Sequence, residues 1–599
     1  MIVVKLETML LPCPGPLARR FVRLAVLAAA GLALGATVPA SARQSLAIPA
    51  PFEVSESPSG NYLAALVANA ERDTAAAASF FREALRADPG NPELVERSFI
   101  AALANGNMPE GFGLAQRLTG RTADKGLANL ALGVRAIKMK QYSSARSYLA
   151  KSGAGKARDL TATLLSAWTF AGGRESRKAL ETVDRLSENN VSQFRNFHAA
   201  LIADLGGNAV EAESRMKAAY AADANSLRTV DGYARLLSKH GKPDEAKKVY
   251  DTFEKLLPRH PLVTAALKNL AAGKTLEPLA KSVEEGAAEV LYGLGSAGGR
   301  QGDELAALIY LRLSLYLQPD NALALITVAD IYERLKQNEH AVDAYELVAD
   351  TSPLRGTADV QTGLALDALG RTDDAVAHLQ RLVDRSPSDL DALSSLANLQ
   401  SGRKKFAEAE AVLNTAIGGI DKPDGGHWSL FYRRGIALER QKKWPQAEAD
   451  FKKALELFPE QPQVLNYLGY SWIDMGMNLD EGFKLLRRAV ELRPQDGYIV
   501  DSLGWAHFKL GHFDDAAIFL EKAADLKPSD PVINDHLGDA FWRSGRKLEA
   551  KFQWNHARDL KPEPDDLVRI LKKIETGLDE EKPAEVGKDV PADTLKNGG

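Results

Sequence analysis

Pro462 to Asp496 reads PQVLNYLGYSWIDMGMNLDEGFKLLRRAVELRPQD, and its punctuation decides the fold. Leu468-Gly469, Trp472, Leu486, Ala489 and Pro494 stand in it at intervals that recur downstream. Leu503-Gly504, Phe513, Ala516, Leu520, Ala523 and Pro528 repeat the figure, and Leu537-Gly538, Phe541, Ala550, Trp554, Ala557 and Pro562 repeat it again. Upstream, Ala341, Ala375 and Ala409 sit 34 residues apart, with Pro353 and Pro387 at the same interval. A fixed period of this length, with small residues and prolines in phase, is the signature of a solenoid of helix-turn-helix units. The expected fold is all-α.

The residue types follow from packing. A glycine or alanine after the leucine lets the first helix of a unit approach the second. The second small residue, Ala516 or Ala550, is expected at their crossing. The large residue at Leu520 or Trp554 is expected to fill the space between successive units. A closing proline stops the second helix, because its ring clashes with the preceding turn. This pattern resembles the tetratricopeptide repeat family, with its Leu-Gly pair, aromatic, alanine and closing proline. The resemblance implies a superhelical solenoid of stacked antiparallel helix pairs.

Stepping upstream recovers Gly435, Ala447, Phe451, Ala454 and Pro459, then Ala397, Phe406, Ala409 and Leu413, followed by a longer loop through Pro423-Asp424-Gly425-Gly426. Gly363 with Ala375, Ala329 with Tyr332, Ala341 and Tyr345, and Leu294-Gly295 with Ala307, Leu311 and Pro319 complete the block. Weaker units lie at Ala200 to Pro258, at Leu132-Gly133 with Tyr142 and Ala145, and at Ala65 to Pro89. Stretches 92–125 and 157–192 read as eroded repeats, for a total of a dozen to fourteen. The expected layout is a signal peptide over 1–42, a linker over 43–57 and divergent repeats over 58–260. A spacer or degenerate repeat over 261–287 and the main array over 288–564 follow. A capping helix over 565–578 carries Leu567, Ile570, Leu571 and Ile574 at helical spacing. The polar end, 579–599, is expected to be disordered.

Arg19, Arg20 and Arg23 precede an apolar run from Leu24 to Ala36, and Val38-Pro39-Ala40-Ser41-Ala42 follows. Positive charge, a short apolar run and an Ala-x-Ala end make a secretory signal, cut after Ala42. Thirteen apolar residues fall short of the ~20 that span a bilayer. The expected location is the periplasm, with Met1 or Met9 as the start. The one cysteine, Cys13, lies upstream of the apolar run, so an exported chain cut after Ala42 is expected to have no disulfide, thiolate metal site or lipidated cysteine. The formal net charge of −4 gives no basic excess for nucleic acid.

Enzyme chemistry is not expected, and neither is a cofactor. Gly293, Gly295 and Gly298 spell a dinucleotide fingerprint, but that motif needs a strand before it, and Gly295 is in register with the repeat glycines. Gly273-Lys274-Thr275 resembles the end of a phosphate loop, yet Lys268 stands where the first glycine belongs. His507 and His512 straddle the Leu510-Gly511 turn, and His536 and His556 fall on different helices of the last repeat. Solvated or packed histidines are the expected reading. Asp373-Asp374 and Asp514-Asp515 begin second helices, where negative charge favours a helix N-terminus.

The first helix of each unit is expected to line the concave face. Inward positions of the last four repeats hold Tyr432, Ile436, Tyr470, Tyr498, Asp501, Trp505, Phe508, Asp535, Asp539 and Trp542. Aromatic anchors beside acids suit an extended peptide or a partner helix of basic character. The competing expectation is that several of these rings pack against neighbouring helices. The two-carboxylate clamp of chaperone-binding members is not expected, since Ser394 stands at the clamp lysine, although Asn398 matches its asparagine.

Val464-Leu465-Asn466-Tyr467-Leu468-Gly469-Tyr470 and Ile499-Val500-Asp501-Ser502-Leu503-Gly504-Trp505 resemble the C-terminal repeats of bacterial envelope tetratricopeptide proteins. These include outer-membrane lipoproteins that serve as adaptors of carboxyl-terminal processing proteases. The resemblance implies a scaffold whose partners are such a protease and its substrates. The other expectations are a structural subunit of an envelope assembly or export machine, and an aromatic-faced carbohydrate binder.

Overall fold

The computed structural model describes residue 54 and residues 57–119, 126–153, 156–186, 191–300 and 302–578. The expected signal peptide, Cys13 and the expected disordered end all lie outside the described residues. Among the described residues the regular structure is helical, with no strand, as the period implies. None of these helices is long and apolar enough to cross a membrane.

The chain divides into two compact units at Ala375/Val376. In the first, α1 (Pro58–Ala70) pairs with α2 (Thr74–Ala87), α3 (Pro92–Ala104) with α4 (Met108–Thr119), and α5 (Gly126–Lys138) with α6 (Tyr142–Leu149). Next come α7 (Lys156–Gly172) with α8 (Ser176–Asp184), α9 (Ser192–Leu205) with α10 (Ala209–Ala222), and α11 (Leu227–Lys239) with α12 (Pro243–Leu256). A lone helix, α13 (Pro261–Ala271), precedes α14 (Val283–Arg300) with α15 (Glu304–Leu317). Then α16 (Ala322–Arg334) pairs with α17 (Asn338–Glu346), followed by α18 (Arg355–Ala368). The division falls inside α19 (Thr372–Arg385).

The second unit pairs α20 (Leu390–Gly402) with α21 (Phe406–Gly418), α22 (Trp428–Arg440) with α23 (Trp444–Leu457), and α24 (Pro462–Asp474) with α25 (Leu479–Leu492). It continues with α26 (Gly497–Lys509) and α27 (Phe513–Leu526), then α28 (Pro531–Arg543) and α29 (Lys547–Asp559). A last helix, α30 (Pro564–Thr576), packs on α29.

Local chemistry sets these boundaries. First helices open on a short polar cap. Asn91 accepts from the backbone N–H of Glu93 and Leu94, and Asp530 from those of Val532 and Ile533. A proline then occupies the first position, where its missing N–H has no helical partner to lose. Second helices end before the repeat prolines because the pre-proline residue is held extended. Phe458, Arg493 and Lys527 accordingly have φ near −140°: −142°, −136° and −138°.

The turn inside each pair contains a left-handed residue with φ between 58° and 85°, and the turn before α25 holds a second, Asn478, at 44°. Arg72, Gly106, Lys140, Arg174, Gly207 and Gly241 mark the first six pairs. Gly302, Lys336, Gly370, Lys404, Lys442, Gly476, Gly511 and Gly545 mark the rest. This backbone beat continues through stretches 92–125 and 157–192, where residue types had lost it. It is interrupted between Gly241 and Gly302 by α13 and the irregular segment 272–282. The loop around Asp424 lengthens one later step and holds a short 3-10 turn at Gly425–His427.

The small residues sit at helix crossings. A Cβ on Gly504 would lie 2.7 Å from Leu520 Cγ, and one on Gly538 would lie 2.4 Å from Trp554 Cδ1. The large residue thus fills the slot opened by the glycine of its own pair, and Leu520 also joins the core with Leu537 and Phe541 of the next pair, as expected. The Gly293-x-Gly295-x-x-Gly298 run lies within α14 with no strand before it. Gly295 there abuts Leu311 and Gly293 abuts Phe194, which makes these glycines close-packing positions.

In the first unit α14 and α15 turn inward. α14 packs on α5, α7 and α9, and α15 packs on α3 and α5. One continuous core therefore runs from Ala84 to Leu317. Gly286 lets α14 approach the fully buried Trp168. Ser314 donates to the Ala288 carbonyl (2.8 Å), Lys138 donates to the Leu317 carbonyl (2.6 Å), and Arg228 pairs with buried Glu289. Farther along, Tyr332 meets Thr74 at 3.1 Å, and Gln337 donates to the Glu71 carbonyl. The inner surface of the first repeats is thereby occupied by the chain's own helices.

Candidate functional site

In the second unit successive first helices pack side by side, α20 with α22, α24 with α26 and α26 with α28. Nine of the ten residues singled out from sequence fall into two groups along these helices. Tyr432 and Ile436 belong to a half-buried apolar cluster on α22 with Trp428. Tyr432 meets Tyr467 edge-on at 5.9 Å and Phe451 at 6.1 Å, and burial raises its phenol pKa. Tyr467 donates to Glu439 (3.0 Å).

The second group spans α24 to α30. Trp505 is stacked between Phe508, at 4.8 Å, and His536, at 4.1 Å, with interplanar angles of 11° and 18°. His536 Nδ1 meets both oxygens of Asp501, at 3.0 and 3.2 Å. Lys573 of α30 donates to Asp535 and Asp539, each at 2.8 Å. Asp539 also accepts from Trp554 Nε1 at 2.9 Å, and the Trp554 ring lies 5.4 Å from Trp542. Tyr470 borders the group: burial raises its phenol pKa, and the carboxylates of Asp474 and Asp501 raise it further.

The electrostatics of this group are internal. Asp501, Asp535 and Asp539 are only 7, 8 and 4% exposed. Burial pushes the Asp539 carboxyl up to about 6, against the pull of Lys573. Burial by itself disfavours the His536 imidazolium, but Asp501, Asp535 and Asp539 outweigh it and hold His536 above its ordinary value. The three acids are therefore engaged with protein cations and are not presented to solvent. What remains half-open is aromatic: Trp505, Phe508, Trp542 and Tyr470. Lys509 stands 5.8 Å from the Trp505 ring and Lys547 stands 5.1 Å from the Trp542 ring.

Tyr498 lies apart from both groups. It is 54% exposed in the first turn of α26, with Lys527 over its ring at 5.2 Å. Lys573 is the member that sequence reading passed over, while His536, expected to be solvated or packed, is packed on Trp505 and Asp501. Lys573 belongs to no repeat position, so the 34-residue beat gives it no mark. The signal available was the Asp535/Asp539 pair at i,i+4, two acids on one helix face.

Tetratricopeptide repeat models match residues 428–461, 368–420, 42–92 and 478–531. A TPR repeat-containing protein of Pseudomonas aeruginosa, PA4667, is 26% identical over 189 residues, which are 31% of this chain and 31% of that protein. The chain thus matches less than a third of that relative's length. Among solved structures, the APC/C hetero-tetramer Cut9–Hcn1 aligns over 87% of this chain and 96% of its own, at 14% identity and TM-score 0.38. MamA AMB-1 aligns over 28% and 96%, at 19% identity and TM-score 0.24. The repeat matches and the helix pairs together make this chain an all-α tetratricopeptide solenoid, a scaffold of the kind that makes protein–protein contacts.

Proposed function

We propose that this chain is a periplasmic scaffold that holds a protein or peptide segment along the first helices of its second unit, around Tyr470, Trp505, Phe508 and Trp542. It presents what it holds to an envelope protease of the carboxyl-terminal processing class. The observation that carries the binding half is the half-open stack of Trp505 on Phe508, set beside Trp542 and Tyr470. Aromatic rings contribute large contact area with little rotamer entropy to lose, which is why they anchor interfaces. Because the acids are engaged with His536 and Lys573, recognition rests on ring faces more than on the negative charge the sequence suggested. The lysines near the rings favour acidic flanks in the bound segment.

Location rests on the charged, apolar and Ala-x-Ala succession over residues 19–42. The protease rests on the resemblance of Val464–Tyr470 and Ile499–Trp505 to the adaptor proteins. The test is cross-linking in intact cells followed by purification of the chain. Recovery of a carboxyl-terminal processing protease, lost with Trp505→Ala while helicity is kept, supports the reading. Recovery of a stoichiometric membrane complex without protease would replace the adaptor by the structural-subunit role.

A further inference from the structure

The turn between α26 and α27 gathers three side chains that the repeat pattern does not require to meet. His507 lies in the last turn of α26, His512 is the N-cap of α27, and Asp515 is its third residue. One donor atom from each lies within 4.8 Å of the other two. His507 Nδ1 is 3.9 Å from an Asp515 oxygen, and the two imidazole centroids are 5.8 Å apart. The turn itself enforces this. The His512 N–H donates to the His507 carbonyl at 2.9 Å, and Gly511 takes φ of 81°, so the two histidines flank one closed loop.

The neighbouring repeats show what is unusual. The position of His507, three beyond the glycine of the Leu-Gly pair, is Trp472 in the preceding pair and Phe541 in the following one, both buried aromatics. The position of His512 is Asn478 and Arg546, and that of Asp515 is Glu481 and Glu549. An acid there is ordinary helix chemistry. An imidazole in the aromatic slot is not, because it sets two metal-binding ring nitrogens where the neighbouring repeats place Trp472 and Phe541. Phe519 stacks on His507 at 5.1 Å and Phe483 meets it edge-on at 4.8 Å, which fixes the ring's direction. His512 and Asp515 are half-exposed and free to adjust.

The geometry points to a divalent first-row metal site formed by His507, His512 and Asp515. Two imidazoles and a carboxylate match the donor preference of Zn²⁺ and its neighbours and not that of Mg²⁺ or Ca²⁺. Bonds of ~2.0–2.1 Å place tetrahedral donors about 3.3 Å apart. Rotation of the two half-exposed side chains closes the present spacing to that value. Three protein donors leave a fourth position for water or a partner's side chain. A bound metal would pin the end of α26 to the start of α27, beside the Trp505 stack.

The test is calorimetric titration of the untagged, metal-stripped full chain with Zn²⁺ alone. One saturable site is expected. His507→Phe and His512→Asn, each taken from a neighbouring repeat and so compatible with folding, should each weaken it at least about tenfold, the scale on which even supporting residues act. Zn²⁺ should raise the Tm of the wild type and not of the double variant, since a ligand of the folded state stabilises by mass action. Absence of a saturable site, or equal Zn²⁺ affinity in the folded double variant, would overturn the assignment.

Discussion

The inner faces of the two units are built from the same kind of helix and end in opposite conditions. In the first unit α3, α5, α7 and α9 receive α14 and α15, and a single core runs through all of them. In the second unit α20 to α28 pack on their neighbours in the array, and among the described residues no helix pair fills their inner face. That face carries half-buried rings instead. The difference teaches that a tetratricopeptide array leaves a surface to be satisfied and does not specify by what. The first unit satisfies it within the chain, while the second leaves Tyr470, Trp505, Phe508 and Trp542 half-buried.

The comparison breaks most directly at Trp168. Trp168→Ala removes the ring on which α14 rests, and should cost about 3–5 kcal/mol, as for large-to-small changes in cores. Hydrogen exchange should show protection lost in α7 and α14. A cost within error would mean that α14 is a loosely held occupant, and that the first inner face is also available.

Ala516 tests the second array in the other direction. It is fully buried at the crossing of α26 and α27. Ala516→Leu should overpack that crossing and cost about 1–3 kcal/mol in chemical denaturation. A neutral outcome would mean that the helices of this unit can separate easily, which the contact of Leu520 with Gly504 argues against.

Trp505 sharpens the contrast with Trp168, because a half-open ring should matter more to a partner than to the fold. Trp505→Ala should weaken partner capture by about 1–2 kcal/mol, the scale of interface hot spots, with circular dichroism unchanged. Tyr498→Ala, outside the stack, serves as the control. If Trp505→Ala unfolds the repeat and spares capture by the protein that stays folded, the ring belongs to the packing of His536 and Phe508 alone.

The smallest effect is a pH dependence confined to the second unit. Asp539 has a folded pKa raised from 3.8 to about 6, so its stabilising contribution is complete below 3.8 and lost as pH rises through about 6. His536 is raised above 6.5, so its contribution is complete below 6.5 and lost as pH rises through its folded value. Both push in one direction. The stability of the wild type relative to Asp539→Asn should fall between pH 3.8 and about 6, measured by denaturant titration. A rise over that window would mean that Lys573 dominates over burial.

Much of this was legible in the chain itself. Gly504, Ala516 and Gly538, with the prolines at 494, 528 and 562, announce helix pairs because helix crossings tolerate only small side chains and proline ends a helix wherever it falls. These are local demands, repeated at every unit, so a single sequence displays them. The choice of Tyr432 to Trp542 as candidate positions follows from the same register. Burial did not follow: Asp501, Asp535 and Asp539 look like a charged rim until His536 and Lys573 are brought against them. Likewise Gly293 to Gly298 spell a familiar motif until α14 is seen lying on Phe194 and Leu311.

The amino-acid sequence by itself determined the helix pairs and their turns, since these depend on residues at most one repeat apart. Tertiary structure alone decided that α14 and α15 close the first inner face and that Lys573 neutralises two acids on another helix. Those outcomes depend on where distant segments meet. No period records that, because each happens once.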